Sequence, residues 1–158
     1  MVKKLEVGAK APMFRLPSDS GDEISLKSFS GKFVVLYFYP KDDTTGCTKE
    51  AIEFTGLAEK FRKADAVVLG VSKDDVKSHE KFVNKYNLDV RLLSDVDGSL
   101  CRSYGVWVEK NMYGRKYMGI ERSTFLVDKK GVVRELWRKV KVGGHAQSVL
   151  DAVLRENN

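Results

Sequence analysis

One cysteine stands just behind a strongly apolar segment, where the chain turns into a helix. Cys47 follows the apolar run 33–39, and apolar residues recur at helical spacing after it. The free amide groups and the positive dipole end of a helix favour an anion, so a thiol held there is stabilised as a thiolate. Because the thiolate is the nucleophilic form of cysteine, this placement predicts a reactive cysteine rather than a buried inert one.

A helix start alone does not stabilise a thiolate enough. A free thiol with a pKa of about 8.5 is only a few per cent ionised at pH 7, and lowering that pKa to about 6 takes about 3.4 kcal/mol of preferential stabilisation of the anion. A helix terminus contributes roughly 0.3 to 2 kcal/mol of this. The sequence therefore predicts a further donor or cation beside Cys47, and an arginine is the expected group.

Length and composition are those of one domain, which we expect to span residues 1–158. The chain is long enough to bury a core without disulfides, and its two cysteines are too few for a disulfide scaffold. Its first residues show no apolar run before their first charges, and no segment approaches the roughly 18 apolar residues of a membrane span. We expect a cytoplasmic protein with no membrane partner, in which any disulfide is transient and catalytic.

The net charge of +6 raises the question of nucleic-acid binding. The segment 137–141 mixes basic and aromatic residues, as nucleic-acid-binding surfaces do. However, the 28 basic residues are spread along the chain and interleaved with 22 acidic ones. This distribution predicts a solvated, mildly basic surface without a nucleic-acid partner, and the alternative is electrostatic attraction of other anionic partners.

Strands and helices alternate along most of the chain. A turn-rich N-terminal segment predicts a small hairpin that ends near Ser25, and the run 33–39 is typical of a central strand buried on both faces. The other predicted elements are a helix at about 46–63, a strand at 66–71, a helix capped by Asp74 or Asp75, a strand at 92–94, a helix opened by 97–99, an irregular or extended stretch at 106–118, a hairpin from 124–127 and 132–137, and a final amphipathic helix. This order predicts an α/β fold with a central mixed sheet flanked by helices and an N-terminal β-hairpin extension.

The residues around Cys47 resemble the active-site signature of the peroxiredoxins. Pro40, Thr44 and Cys47 have the signature spacing, and YFYPKDDTTGCT at 37–48 resembles the bacterioferritin comigratory protein or peroxiredoxin Q branch. The resemblance covers nearly the whole chain and includes the segments 7–12, 93–95 and 122–125. It implies a thioredoxin-like fold and a thiol peroxidase that reduces hydrogen peroxide and organic hydroperoxides, with no metal, haem or flavin.

The resemblance implies a role for each matching residue. Cys47 would be the thiolate that attacks the terminal peroxide oxygen and becomes a sulfenic acid. Thr44 can hydrogen-bond both the sulfur and the peroxide, and Pro40 lines the pocket with a group that cannot compete for the proton. Arg122 would be the missing cation, and Glu50, one helical turn after Cys47, would orient it. Outside this pattern, Thr44 would be a simple helix cap and Arg122 one more surface arginine.

Cys101 has two interpretations. Many members of the branch carry a resolving cysteine five residues after the first one, but Ile52 occupies that position here. Another subgroup carries it in a later helix, in a Leu-Cys-Arg context that Cys101 matches. This resemblance implies an intramolecular disulfide between Cys47 and Cys101, which thioredoxin or a similar dithiol protein would reduce. The alternative is that Cys101 fills the core and that the mechanism uses one cysteine.

A disulfide between two helices would require both helices to move. It needs Cα atoms within about 7 Å of each other. We therefore predict that the first turn after Cys47 and the helix of Cys101 unwind on oxidation. The branch usually has proline where this chain has Thr45, and loss of the fixed proline φ changes how readily that turn opens and recloses.

Other functions compete with the peroxidase. A thioredoxin-type disulfide oxidoreductase carries a second cysteine where this chain has Glu50, which disfavours that activity. A redox-sensing interaction protein would instead use oxidation of Cys47 to change its binding. His79, His145 and the cysteines show no metal-ligand spacing, so no metal site is expected. The resemblance also implies a monomer or a weak homodimer.

Overall fold

The computed structural model describes residues 5–157, so residues 1–4 of the N-terminal segment lie outside it. The strands are β1 (Arg15–Pro17), β2 (Glu23–Ser25), β3 (Phe33–Phe38), β4 (Ala66–Ser72), β5 (Arg91–Ser94), β6 (Trp107–Met112), β7 (Arg115–Ile120), β8 (Ser123–Val127) and β9 (Val133–Trp137). The α-helices are α1 (Thr45–Gly56), α2 (Ala58–Lys63), α3 (Val76–Tyr86), α4 (Ser99–Ser103) and α5 (His145–Glu156).

A mixed sheet of five strands lies at the centre of the fold. Its order is β5-β4-β3-β8-β9, with β3, β4 and β5 parallel and with β8 and β9 antiparallel to their neighbours. All six residues of β3 are buried, because this apolar strand has neighbours on both edges and helices or loops over both faces. The predicted central strand, the mixed sheet and the N-terminal β1-β2 hairpin are confirmed.

The sheet separates two hydrophobic cores. Alternate residues of β3 point to opposite faces, so Val35 and Tyr37 lie in one core and Val34 and Leu36 in the other. The first core contains apolar residues of α1, α2, α3 and α5 together with Cys47. The second contains residues of α4 and of the N-terminal segment together with Cys101. The two thiols therefore lie on opposite faces of the sheet.

One predicted helix differs from the observed structure, and one open alternative is resolved. The helix expected over 46–63 is two helices, because the backbone at Leu57 leaves helical geometry, with φ −107° and ψ 5°, directly after Gly56. The stretch 106–118 is extended, one of its two predicted alternatives, and its strands β6 and β7 pair as a regular antiparallel hairpin from Trp107 opposite Ile120 to Met112 opposite Arg115. Among the described residues, no helix has the length and apolar character needed to cross a membrane.

Candidate active site

Cys47 lies in the first turn of α1, as predicted. The chain leaves β3 at Phe38, Thr44 has extended backbone geometry with φ −97° and ψ 158°, and the helix begins at Thr45. This change from extended to helical geometry directs the first amides of α1 towards the loop that precedes it. The side chain of Cys47 packs in the first core, and the residue is 2% exposed.

Arg122 supplies the cation that the sequence required beside Cys47. Its Nη2 donates a hydrogen bond to the Cys47 sulfur at 3.2 Å, although the two residues are 75 positions apart. Arg122 lies in the short connection between β7 and β8, and β8 pairs with β3, so the sheet itself brings it to the start of α1. Gly46 makes room for it, since a Cβ at that position would lie 3.1 Å from Nη2.

Glu50 holds the other arm of the same guanidinium. Nη1 of Arg122 donates to Glu50 Oε1 at 2.7 Å, and Glu50 is 1% exposed. Burial raises the pKa of Glu50 to about 7, although the charge of Arg122 acts in the opposite direction. Burial alone would lower the pKa of Arg122, but the charges of Glu50 and Cys47 outweigh it and raise that pKa. The fork of the arginine thus joins Glu50 to the sulfur.

Neither Thr44 nor Pro40 makes a hydrogen bond to the Cys47 sulfur among the described residues. The Thr44 hydroxyl donates to the carbonyl oxygen of Lys41 at 2.8 Å, which turns its proton away from Cys47. Thr44 occupies the N-cap position of α1, and its hydroxyl makes no capping hydrogen bond to the helix. Pro40 is exposed and lines a cavity of about 360 Å³ together with Lys73, Trp107, Lys110, Tyr117, Met118, Gly119 and Ile120.

Cys101 is fully buried in the second core, in the first turn of α4. The carboxylate of Asp95 accepts hydrogen bonds from the amides of Leu100 at 3.1 Å and of Cys101 at 2.9 Å. Burial and the neighbouring Asp95 raise the pKa of the Cys101 thiol. The structure therefore does not bring Cys101 to Cys47, and it holds the Cys101 thiol protonated while α4 is folded.

Two successive aspartates fasten the loop before Cys47 to α3. Asp42 is buried and accepts hydrogen bonds from Tyr39 at 2.6 Å, and it contacts His79 Nδ1 at 2.7 Å. Asp43 has a left-handed φ of 57° and accepts from Lys85 Nζ at 2.7 Å and from the Tyr86 hydroxyl at 2.6 Å. Sequence reasoning missed these contacts, because polar residues in loops carry no periodic signal.

A compact His and Asp group is also present here, at Asp42, Asp74 and His79. Hydrogen bonds already occupy it: the amide of Asp42 and the Ser72 hydroxyl donate to Asp74 Oδ2, and His79 Nε2 faces the carbonyl oxygen of Leu93 at 3.0 Å. These contacts account for the closeness of the three side chains as anchors of the active-site loop.

The arrangement defines a thiol-based redox site. A buried cysteine at a helix start accepts a hydrogen bond from a fixed guanidinium. The cavity at Pro40 lies in the same loop region, and its lining includes neither Cys47 nor Arg122. A helix start and a cationic donor are the features by which thiol-based redox sites stabilise a thiolate. The model of the AhpC/TSA family matches residues 7–136, and the chain belongs to that family.

Its relatives assign a branch within the family. The chain is 56% identical to a putative peroxiredoxin bcp of Coxiella burnetii over 92% of this chain and 97% of that protein, and 47% identical to peroxiredoxin Bcp of Bacillus subtilis over 94% and 95%. The protein is a peroxiredoxin of the bacterioferritin comigratory protein or peroxiredoxin Q branch, as its residues indicated.

Solved structures agree with this assignment. A Xanthomonas campestris bacterioferritin comigratory protein, studied for alkyl peroxide reduction, superposes with a TM-score of 0.88 at 47% identity and 92% coverage of both chains. A Xylella fastidiosa PrxQ mutant superposes with a TM-score of 0.94 at 38% identity, over 99% of this chain and 100% of that one. The thioredoxin-like fold implied by the resemblance is thereby confirmed.

Proposed function

We propose that Cys47 reduces hydrogen peroxide and organic hydroperoxides as the peroxidatic residue. The observation that carries this proposal is the hydrogen bond from Arg122 Nη2 to the Cys47 sulfur at 3.2 Å. The thiolate attacks the terminal peroxide oxygen, the O–O bond breaks, and a sulfenic acid and an alkoxide or hydroxide result. The alkoxide or hydroxide then takes up one proton. Arg122 stabilises the charge on the sulfur before the attack and on the departing oxygen during it.

Thr44 and Pro40 complete the proposed site. For catalysis, the Thr44 hydroxyl turns from the Lys41 carbonyl towards the peroxide, a rotation about one side-chain bond at an exposed position. Pro40 opens onto a cavity with apolar lining from Trp107 and Met118. Such a lining accommodates the alkyl part of an organic hydroperoxide, in agreement with the alkyl peroxide activity described for the Xanthomonas relative.

Cys101 is proposed to resolve the sulfenic acid. Its thiolate attacks the oxidised sulfur of Cys47, water leaves, and a disulfide forms that thioredoxin or a similar dithiol protein reduces. Because the two thiols lie in cores on opposite faces of the sheet, the first turn of α1 and helix α4 must both unwind. Unwinding of α4 also removes Cys101 from Asp95 and from the core, which lets its thiol ionise. We expect faster hydrogen exchange in both segments after oxidation, and equal protection in the two redox states would contradict this.

A one-cysteine mechanism is the second candidate, because Cys101 is fully buried beside a carboxylate. Mass spectrometry after one equivalent of hydrogen peroxide separates the two mechanisms. A Cys47–Cys101 disulfide supports the two-cysteine cycle, whereas persistent sulfenic acid on Cys47 with a free Cys101 thiol refutes it. The variant Cys101→Ser is the matched control, since it must stop at the sulfenic acid in either case.

Turnover distinguishes an enzyme from a redox sensor. Peroxide-dependent consumption of reduced thioredoxin supports a thioredoxin-dependent peroxidase. Oxidation that stops after one equivalent per chain, with every dithiol reductant tested, would instead support a redox-sensing interaction protein. We also propose that the protein is a monomer or a weak homodimer, and sedimentation over a range of protein concentrations tests that state.

A further inference from the structure

Two buried polar atoms near the reactive sulfur have no hydrogen-bond partner among residues 5–157. They are Glu50 Oε2 and the Tyr37 hydroxyl, and each residue is 1% exposed. Folding removes such atoms from water, so a buried polar atom without a partner is destabilising and requires an explanation. Glu50 contacts the guanidinium that also binds the reactive thiol. The Tyr37 hydroxyl lies against Gly70 in the core, within electrostatic range of Glu50 and Cys47.

The hydroxyl of Tyr37 is held in a fixed position by its surroundings. The ring stacks on Phe54 with centroids 4.7 Å apart. A Cβ at Gly70 would lie 2.7 Å from Tyr37 Cζ and 2.8 Å from the hydroxyl oxygen, so only glycine leaves room for the end of this side chain. A phenylalanine would fill the same core and avoid burying a hydroxyl. The presence of a hydroxyl on Tyr37, with Gly70 leaving room for it, therefore indicates that this hydroxyl makes a polar interaction.

Arg122 is one cation between two acidic groups. Its Nη2 contacts the Cys47 sulfur and its Nη1 contacts Glu50 Oε1. When Cys47 is a thiolate and Glu50 is ionised, two buried anions share one positive charge. When only one of them is ionised, the charges cancel. The charges of Cys47 and Glu50 therefore compete, and oxidation of Cys47 to a neutral sulfenic acid removes one competitor.

We propose that Glu50 and Tyr37 form a buried pair that holds a proton and balances the charge of Cys47. Glu50 carries the proton while Cys47 is a thiolate and releases it when Cys47 becomes a sulfenic acid. The Tyr37 hydroxyl then donates, directly or through a water molecule, to the carboxylate that forms. Glu50 and Tyr37 are thus positioning residues that act through Arg122, and this role rests on the proposed attack by Cys47.

The proposed step is balanced in atoms and charge. The reaction is Cys47–S⁻ + Glu50–COOH + HOOH → Cys47–SOH + Glu50–COO⁻ + H₂O. The O–O bond breaks and an S–O bond forms, the sulfur is oxidised, and the peroxide is reduced. The departing hydroxide becomes water by taking up one proton, and the proton that Glu50 releases, directly or through solvent, balances this uptake. The protein then takes up no net proton from solution as Cys47 is oxidised.

The charged neighbours of the pair are consistent with this exchange. The charged groups that act on Glu50 are Arg122 from the β7-β8 connection and Glu53 from α1. Those that act on Tyr37 are Glu50, Cys47, Asp42 and Arg122. Burial raises the pKa of Glu50 to about 7, so a modest change of local charge moves its proton near neutral pH. In α5, His145 is the group that interacts with Arg122. Burial lowers the pKa of His145 to about 4, so its imidazole is neutral near pH 7.

Proton stoichiometry in a single turnover tests the proposal. Cys101→Ser protein, which keeps the sulfenic acid, is mixed with one equivalent of hydrogen peroxide in weakly buffered solution at about pH 7 with a pH indicator. Labelling with dimedone and mass spectrometry measure the sulfenic acid on Cys47. For the Cys101→Ser protein we expect a net uptake close to zero protons per sulfenic acid formed. For the double variant that also carries Glu50→Gln we expect an uptake close to one. Uptake of one proton in both proteins would overturn the role of Glu50, whereas absence of the label would instead refute Cys47 as the reacting thiol.

Tyr37→Phe in the same background tests the hydroxyl. Loss of a donor disfavours the carboxylate, so Glu50 keeps its proton to higher pH and the uptake at about pH 7 rises towards one. Tyr104→Phe is the matched control, because its buried hydroxyl donates to the Pro12 carbonyl in the other core at 2.7 Å, and we expect unchanged stoichiometry. Circular dichroism verifies that both variants fold. A Tyr37→Phe protein with the stoichiometry of its parent would refute the part assigned to Tyr37.

Discussion

Replacement of Arg122 by lysine is the sharpest perturbation of the active site. The guanidinium donates to Cys47 and Glu50 at the same time, through two nitrogens at 3.2 and 2.7 Å from their acceptors. Lysine keeps the positive charge but has a single ammonium group, which lacks the planar fork that satisfies both acceptors. Arg122→Lys therefore removes one of two charge-assisted hydrogen bonds while the net charge of the protein stays the same.

The expected loss follows from the strength of that hydrogen bond. A hydrogen bond to a charged group contributes about 1.5 to 3 kcal/mol, and the single ammonium group of lysine cannot satisfy the buried Glu50 and the sulfur at the same time as the two arms of the guanidinium do. If this energy is lost from the transition state, the second-order rate constant with hydrogen peroxide falls about 10- to 150-fold. Arg122→Met, which also removes the charge, should react more slowly still.

Competition with a haem peroxidase for limiting hydrogen peroxide measures this rate constant. Arg62→Lys is the control, because the ion pair of Arg62 with Asp89 is exposed at the surface, and its rate should equal that of the unchanged protein. If Arg122→Lys reacts within about threefold of the unchanged protein, the two-armed hydrogen bond does not contribute to the attack and the reasoning fails.

Three further perturbations test other parts of the structure. Burial raises the pKa of Glu50 from 4.5 to about 7, so the folded protein should lose about 3 kcal/mol of stability as the pH rises through this range. Glu50→Gln should remove this loss, which urea denaturation curves at several pH values measure. Gly46→Ala should lower the rate of reaction with peroxide, because the added Cβ meets the guanidinium of Arg122. It should not lower the melting temperature, because alanine favours the helix more than glycine does. Gly56→Ala, which has open space around its Cβ, is the control and should leave the rate unchanged. Asp42→Ala should destabilise the fold by about 3 kcal/mol in urea, because its buried partners lose their acceptor. Asp43→Asn, at an exposed position whose left-handed φ asparagine tolerates, should cost far less, and equal losses would contradict the contrast in burial.

The sequence predicts the elements that carry a strong local pattern. The central strand β3 is a continuous apolar run, and the start of α1 follows from helical spacing after Cys47. The need for a cation beside the thiol follows from electrostatics, but only the family resemblance points to Arg122, since the contact spans 75 positions. Local patterns alone cannot identify a partner so distant along the chain.

The features that the sequence did not predict depend on tertiary context. The β6-β7 hairpin is mostly exposed and shows little alternation of apolar and polar residues, so the pattern had no periodicity to detect. The break at Leu57 lacks a proline and depends on how α2 packs. Tyr37 belongs to an apolar run, and only the packing around Gly70 reveals that its hydroxyl is buried without a partner.

The attachment of Asp43 to α3 determines where any motion of the reactive segment must begin. Lys85 and Tyr86 hold Asp43 in a left-handed conformation, and Asp42 is fixed behind it in the interior. These side chains anchor the chain up to residue 43 to α3. Thr44 is the first residue beyond these anchors, so the unwinding proposed for α1 would pivot at Asp43. When α1 opens, the pivot lies four residues before Cys47, and Pro40 stays in place at the mouth of the cavity while the sulfur moves away from it.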